Sequence, residues 1–269
     1  MQSDKVFAVI TGGGSGMGRA AAEAIVMAGG KACIVDFVKE RCEEVVTELG
    51  GACYYEVADV SDPLRAEEIV KGAVAKFGYV NVVVNCAGVG SGTRILPREG
   101  GVFPIETFKR VLDINLVGTF NYLCQGALAM SQAPTNEDGE RGVIINTSSQ
   151  ASELGQIGQA AYSASKGAIE SMMLPIAREL ARVGIRVNTI APGLVYTNMS
   201  SVDMLGKTPQ ERPRRPEGQE DPAAKDFVFP LRRGYPPEFA SLAMEIIRNG
   251  LLNGATFALD GAIRFSPKW

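Results

Sequence analysis

Short, nearly uninterrupted apolar runs alternate along the chain with longer stretches in which apolar residues return every three to four positions. The runs lie at residues 6–10, 31–35, 52–57, 80–84, 143–145, 185–190 and 255–259. Runs this short and continuous predict strands buried on both faces, the habit of parallel sheets. The periodic stretches predict helices at 19–28, at 63–77 with Ile69, Val70, Ala73, Val74 and Phe77 on one side, and through Phe108, Val111, Leu112, Asn115 and Leu116. A further helix is expected from Tyr162 to about Val183, its apolar face formed by Ile169, Met172, Met173, Ile176 and Leu180, and a last one at 238–248. Strands alternating with helices predict an α/β fold.

The first run feeds into Thr11-Gly12-Gly13-Gly14-Ser15-Gly16-Met17-Gly18, and a helix follows. Strand, glycine turn and helix is the setting of a dinucleotide-binding loop, in which backbone and helix N-terminus approach a pyrophosphate. The next strand ends at Asp36, 18 positions past Gly18. An acid there can bind both hydroxyls of an adenosine ribose and repel a 2′-phosphate. Ser15 and Phe37 beside it are not basic, so the reading is NAD rather than NADP. Asp59, followed by Val60, ends the third strand and is placed at the adenine edge. Ser61 or Asp62 then caps a helix that starts at Pro63.

The chain of 269 residues is ample for one well-filled domain, 46% hydrophobic and 21% charged, with net charge −3 and no long basic run. Neither a nucleic-acid surface nor an anionic membrane is indicated. No apolar stretch reaches the ~18 residues of a membrane span, and few residues precede the first strand, so a soluble cytoplasmic protein without a signal peptide is expected. Cys33, Cys42, Cys53, Cys86 and Cys124 form no C-x-x-C pair and read as small buried residues of a reducing compartment. The chain has no histidine. That absence excludes Ser-His-Asp triads, Cys-His nucleophiles and nearly all zinc sites, and no metal is expected.

Proton chemistry must then fall to Tyr, Lys, Asp, Glu or Cys, and residues 141–166 concentrate the candidates. After the strand come Thr147, Ser148 and Ser149, then a Gly/Gln-rich turn, then Tyr162-Ser163-Ala164-Ser165-Lys166. Tyr162 and Lys166 stand four apart, one helical turn from each other. A free phenol titrates at ~10, and a nearby ammonium favours the phenolate; moving it down ~3 units takes about 4 kcal/mol of differential interaction. Such a tyrosine could exchange a proton with an alcohol or ketone near neutral pH, with Ser149 holding the substrate oxygen. Asn115, a polar amide among apolar neighbours, is either a structural hydrogen-bonding group or the holder of a water linking Lys166 to solvent.

Taken in order, these residues resemble the short-chain dehydrogenase/reductase family over residues 5 to about 264. Thr11 to Gly18 is similar to its cofactor loop, and Asn85-Cys86-Ala87-Gly88 to its Asn-Asn-Ala-Gly element with cysteine in the second place. Asn115, Ser149, Tyr162 and Lys166 fall at its catalytic positions, and Pro192-Gly193 precedes Thr197 as in its nicotinamide loop. The resemblance implies a single-domain Rossmann-type doubly wound sheet of about seven strands spanning 1–269. It implies Tyr162 as acid/base, Lys166 as the group that lowers its pKa and binds the nicotinamide ribose, and Ser149 and Asn115 as oxygen and water anchors. Cofactor contacts are expected from Gly12, Ser15, Gly16, Met17, Gly18, Asp36, Phe37, Asp59, Val60, Asn85, Ala87, Gly88, Tyr162, Lys166, Pro192, Gly193, Val195 and Thr197. Substrate contacts are expected from Ser149, Gln150, Gln159 and Tyr162.

Within the family, residues 141–147, 155–162 and 259–264 are similar to short-chain 3-hydroxyacyl-CoA dehydrogenases, the type 10 17β-hydroxysteroid dehydrogenase group. That implies NAD-dependent exchange of a secondary alcohol and a ketone, the 3-hydroxy group of an acyl-CoA foremost, in a homotetramer. The Pro- and Arg-rich stretch 198–237 departs from that branch and is expected to form a lid over the substrate. Alternatives are a steroid, cyclic or aromatic alcohol as substrate, or a non-catalytic NAD-binding scaffold. Scaffolds of that kind typically lose the tyrosine, lysine or glycines, all kept here.

Overall fold

The computed structural model describes residues 1–98, 100–197 and 227–264; the predicted lid therefore lies largely outside the described residues. Seven strands form one parallel sheet: β1 (Phe7–Thr11), β2 (Lys31–Asp36), β3 (Cys53–Val57), β4 (Val82–Asn85), β5 (Gly142–Thr147), β6 (Ile185–Pro192) and β7 (Thr256–Leu259). Their order is β3-β2-β1-β4-β5-β6-β7. The chain builds outward from β1 in one direction through β3, then crosses back and builds outward from β4 in the other. The crevice where the order reverses, at the C-terminal ends of β1 and β4, is where open α/β sheets bind ligands.

Both faces of the sheet are covered because its central strands carry apolar residues on either side. Ala8, Ile10, Ala32, Ile34, Val84 and Ile145 pack beneath α1 (Gly16–Met27), α2 (Lys39–Leu49) and α7 (Pro236–Arg248). Val9, Cys33, Val35, Val83, Ile144 and Val187 face α3 (Pro63–Phe77), α5 (Gly118–Ser131) and α6 (Ala160–Leu180). Each fully buried Val or Ile contributes on the order of 1.5–3 kcal/mol. On α6, Met173 is buried and Met172, Ile176 and Leu180 pack partly against the same core. Asp62 caps α3, accepting from the backbone N–H groups of Leu64 and Arg65 at 2.9 and 3.2 Å.

Two helices go beyond the pattern reading. α2 fills the stretch between β2 and β3. The helix through Phe108 and Val111 is α4 (Ile105–Leu112), and it runs on through a π-helical turn, Asp113–Val117, into α5. Cys33, Cys42 and Cys53 are buried as expected, Cys86 is half-buried, and Cys124 is exposed.

On the rim of the sheet opposite the crevice, Arg186 is buried at the start of β6. It pairs with Glu140 at 2.7 Å and donates to the carbonyls of Ile246, Ile247 and Leu252. That pins the end of α7, whose last carbonyls have no helical partner, to the sheet.

Candidate active site

The crevice is a cleft of about 1300 Å³, above the ~300–1,000 Å³ of a typical small-ligand pocket. One wall is the glycine turn. Gly12 and Gly16 have φ of +66° and +55°, conformations that favour glycine. A Cβ on Gly12 would lie 2.8 Å from the Ala87 nitrogen, and one on Gly18 only 2.3 Å from the Gly12 oxygen. The bare backbone is what lets α1 present its N-terminus to the cleft. Thr11 ties this turn to the next one: its hydroxyl oxygen accepts from the backbone N–H groups of Cys86 and Ala87, both at 3.2 Å.

Of the expected cofactor residues, Gly12, Ser15, Gly16, Met17, Gly18, Asp36, Phe37, Asp59 and Val60 all line the cleft. So do Ala87, Gly88, Tyr162, Lys166, Pro192, Gly193, Val195 and Thr197. Asn85 does not. Its amide turns inward, donating to Asn146 Oδ1 at 3.0 Å and to the Thr119 carbonyl at 3.4 Å, and it serves the sheet rather than the cleft. Asp59 lines the cleft while its Oδ1 accepts from the Ser61 N–H and hydroxyl at 2.9 and 2.7 Å. Asp36 closes the turn, accepting from the N–H groups of Gly14 and Val38, both at 3.1 Å.

The floor carries the proton chemistry. Ser149, at the end of β5, accepts from the Ala151 N–H at 3.1 Å and is hydrogen-bonded to the Tyr162 hydroxyl. Tyr162 keeps part of its ring open to the cleft while its hydroxyl sits deep among protein atoms. Lys166 is 4% exposed, and its Nζ donates to the Thr147 carbonyl at 2.7 Å, 5.7 Å from the centre of the Tyr162 ring.

Here the expected electrostatics is corrected. Burial raises the Tyr162 pKa above its ordinary value, and the Ser149 hydrogen bond opposes that shift. Lys166 is not among the groups that lower it. Burial instead depresses Lys166 itself, to about 8. In this state the phenol is a proton donor, and Ser149 is the group favouring its anion.

Asn115 lies in the π-helical turn, fully buried. Its Oδ1 accepts from the Val89 N–H at 2.8 Å, and its Nδ2 donates to the Val89 carbonyl and to Ser165 Oγ, each at 3.0 Å. The structural alternative is the one the geometry displays: both amide hydrogens are engaged by protein, and the side chain fixes the loop after β4 against α6. Gln159 lines the cleft, its Oε1 accepting from the Gln156 N–H at 2.8 Å. Gln150 does not line it; its amide reaches the Ala191 carbonyl at 3.4 Å.

Residues that the sequence reading missed also stand on the wall. Arg41, in the first turn of α2, lines the cleft near Asp36, so a basic group does attend the adenosine corner. Delineating α2 from Cys42, Val45, Val46 and Leu49 would have exposed it. Arg233 lines the other end, its guanidinium 5.3 Å from the Tyr196 ring. Among the described residues no group of three or more His, Cys, Asp or Glu could hold a metal, and no helix is long and apolar enough to cross a membrane.

The sequence that builds this glycine-lined crevice, with serine, tyrosine and lysine on its floor, matches a known family model. The short chain dehydrogenase model covers residues 6–205.

The chain belongs to the short chain dehydrogenase family.

It is an oxidoreductase of that family. It is 44% identical over 261 residues to the 3-hydroxyacyl-CoA dehydrogenase type-2 of Homo sapiens, covering 97% of this chain and 95% of that one. To the Drosophila melanogaster protein of the same name it is 41% identical, covering 96% and 97%. The crystal structure of 3-hydroxyacyl-CoA dehydrogenase type-2 from Mycobacterium avium superposes with a TM-score of 0.85 at 32% identity, covering 98% and 97%. A 3-ketoacyl-(acyl-carrier-protein) reductase from Brucella melitensis, complexed with NADH, superposes at 0.80 with 26% identity, covering 98% and 100%.

Proposed function

We propose that this oxidoreductase uses NAD to interconvert the 3-hydroxy and 3-keto groups of an acyl-CoA. The observation that carries the reading is the Ser149–Tyr162 hydrogen bond on the floor of a glycine-walled cleft. The relatives named for that substrate, matched over nearly their whole length, support the choice of acyl-CoA.

The cleft fits a dinucleotide. Gly12, Gly16 and Gly18 leave backbone room that a Cβ would fill, α1 offers its N-terminus, and Asp36 stands where an adenosine ribose would be held. Thr197, beside Gly16, and Pro192 with Gly193 would hold the nicotinamide end. The nicotinamide, when bound, supplies the hydride acceptor or donor.

The chain's own residues do the rest. Tyr162 gives a proton to a ketone oxygen or takes one from an alcohol, and Ser149 donates its single hydroxyl hydrogen to that same oxygen. Lys166, braced on the Thr147 carbonyl, sets a cation at the floor between Tyr162 and Gly88. Asn115 holds the segment that carries Gly88. Gln159 is assigned to the substrate side of the cleft.

Exposed apolar side chains on α5 and α6, among them Phe120, Leu128 and Leu174, support assembly into a homotetramer, which light scattering would test. The five free cysteines fit a reducing compartment such as the cytoplasm.

The test is NADH oxidation at 340 nm with acetoacetyl-CoA, beside steroid and cyclic ketones lacking CoA, for the wild type and Tyr162→Phe. Acetoacetyl-CoA should give the highest kcat/KM, and Tyr162→Phe should lose at least 100-fold. Equal or better turnover of the CoA-free ketones would overturn the substrate assignment.

A further inference from the structure

Three consecutive residues at the tip of β5 each reach across to α6. Thr147 offers its carbonyl to Lys166 Nζ at 2.7 Å, and Ser149 is hydrogen-bonded to the Tyr162 hydroxyl. Between them, the Ser148 hydroxyl lies 2.5 Å from Glu170 Oε1 and 3.0 Å from the Lys166 carbonyl oxygen. Tyr162, Lys166 and Glu170 follow one another at intervals of four, so one face of α6 receives all three ties. Two of the ties carry the proton chemistry. The third carries none: Glu170 does not line the cleft, and Ser148, which borders it, is 2% exposed with its hydroxyl engaged by α6. A hydroxyl has one hydrogen to give, and here the nearer acceptor is the charged one. Among the described residues Glu170 forms no ion pair, and its carboxylate accepts from this serine alone. The Ser148 N–H donates to the Ile190 carbonyl at 2.8 Å, so residue 148 is held from β6 on one side and from α6 on the other.

We propose that Ser148 and Glu170 are a pair of positioning residues that set the tip of β5 against α6, and through it the Ser149 hydroxyl against Tyr162 and the Thr147 carbonyl against Lys166. This deepens the reading above and rests on Tyr162 as the group that exchanges the proton. Ser148 is one peptide unit from each of those contacts, and peptide units are rigid, so a shift at Ser148 is passed to both. A displacement of about 1 Å at a reacting group can cost roughly 100-fold in rate. The pair acts through geometry and not through charge. Burial and the Cys86 thiol are what act on Lys166, and Glu170 is not among its perturbers. An amide in place of the carboxylate therefore serves as well, because it keeps an oxygen for the serine hydroxyl.

The experiment compares wild type, Ser148→Ala, Glu170→Ala, the double variant and Glu170→Gln, with thermal shift confirming that each protein is folded. Ketone reduction by NADH gives kcat and KM, and alcohol oxidation gives a pH profile. The ketone is the one that the wild type turns over fastest, so the outcome does not depend on the acyl-CoA assignment. Each alanine variant should lower kcat roughly 10- to 100-fold while the KM for NADH stays within about 2-fold. The double variant should be no slower than the slower single one, because both remove the same bond. The midpoint of the oxidation profile should move to higher pH in both, since a displaced Ser149 favours the Tyr162 anion less. Glu170→Gln should return kcat to within about 3-fold of wild type, the acceptor being kept. If Ser148→Ala does not fold, the two Glu170 variants decide alone. A lowered melting temperature with kcat and midpoint unmoved overturns the proposal, since the bond would then serve stability only. So does a Glu170→Gln enzyme as slow as Glu170→Ala, because charge rather than position would be the cause. Wild-type turnover in Tyr162→Phe, run alongside, would instead remove the reading on which the proposal rests.

Discussion

The ammonium of Lys166 is anchored on the carbonyl oxygen of Thr147, 2.7 Å away, rather than on the tyrosine one turn before it. That bond joins α6 to the end of β5 and holds a cation where water is scarce. Burial brings Lys166 down to about 8, while an unfolded lysine titrates at ~10.4. Between these values the unfolded chain binds more protons than the native one, so this residue's contribution to stability rises with pH. The buried cation costs about 3 kcal/mol below pH 8, and the cost fades towards pH ~10.4. The urea-unfolding free energy of wild type minus that of Lys166→Met should therefore move in favour of wild type between pH 7.5 and 10. A flat difference would show that Lys166 is not buried as described.

The raised pKa of Tyr162 makes the protonated phenol the resting form at neutral pH. Ketone reduction, which needs a donor, should hold its rate on the acid side. Alcohol oxidation should climb with pH until the phenol ionises. Ser149→Ala removes the hydrogen bond that favours the anion, so the oxidation profile should shift to higher pH as well as fall in height, by roughly 10- to 1000-fold. Steady-state pH profiles of both directions check this, and a profile that keeps its midpoint in Ser149→Ala would refute the coupling.

Asn115 is a buried polar hub with three partners on two segments. Asn115→Leu leaves the Val89 N–H and carbonyl without it, at about 1–3 kcal/mol for each group orphaned. Chemical denaturation should show a loss of roughly 2–5 kcal/mol. Gln150→Ala, at a side chain with one long bond outside the cleft, should stay within about 0.5 kcal/mol of wild type.

Arg186 and Glu140 form a pair whose side chains are 8% and 9% exposed. Arg186→Met should cost about 3–5 kcal/mol, because it uncaps α7 and leaves the Glu140 carboxylate only Asn136 and the Met1 amino group, both on its other oxygen. Glu140→Gln should cost less, since Arg186 keeps three carbonyl acceptors. Neither should alter the kcat of the folded enzyme; a selective fall in kcat at unchanged stability would contradict the separation of this rim from the cleft.

Much of this architecture was legible in one dimension because a strand buried on both faces has no alternation to blur it. The polar helix α2 escaped because few of its residues face the core, and α5 because Gly118 and Gly126 sit where a larger apolar side chain would have marked the period. The π-helical turn at Asn115 has no signature in residue type. In the site, Ser149, Tyr162 and Lys166 declared themselves by kind and spacing. Asn85 and Gln150 did not declare their direction: each sits beside true lining residues, yet points into the sheet or along it. The sign of the Tyr162 shift depends on how deeply its oxygen is buried, and burial is a property of the packed chain rather than of the motif.

All seven strands point the same way, so every connection leaving a strand tip arrives on the reactive side and every connection entering one lies behind it. An engineer can treat those two rims differently. Surface turns on the rear rim, such as the polar link between α5 and β5, are places to graft a tag or an affinity handle without touching turnover. Changes on the front rim rewrite what the enzyme recognises.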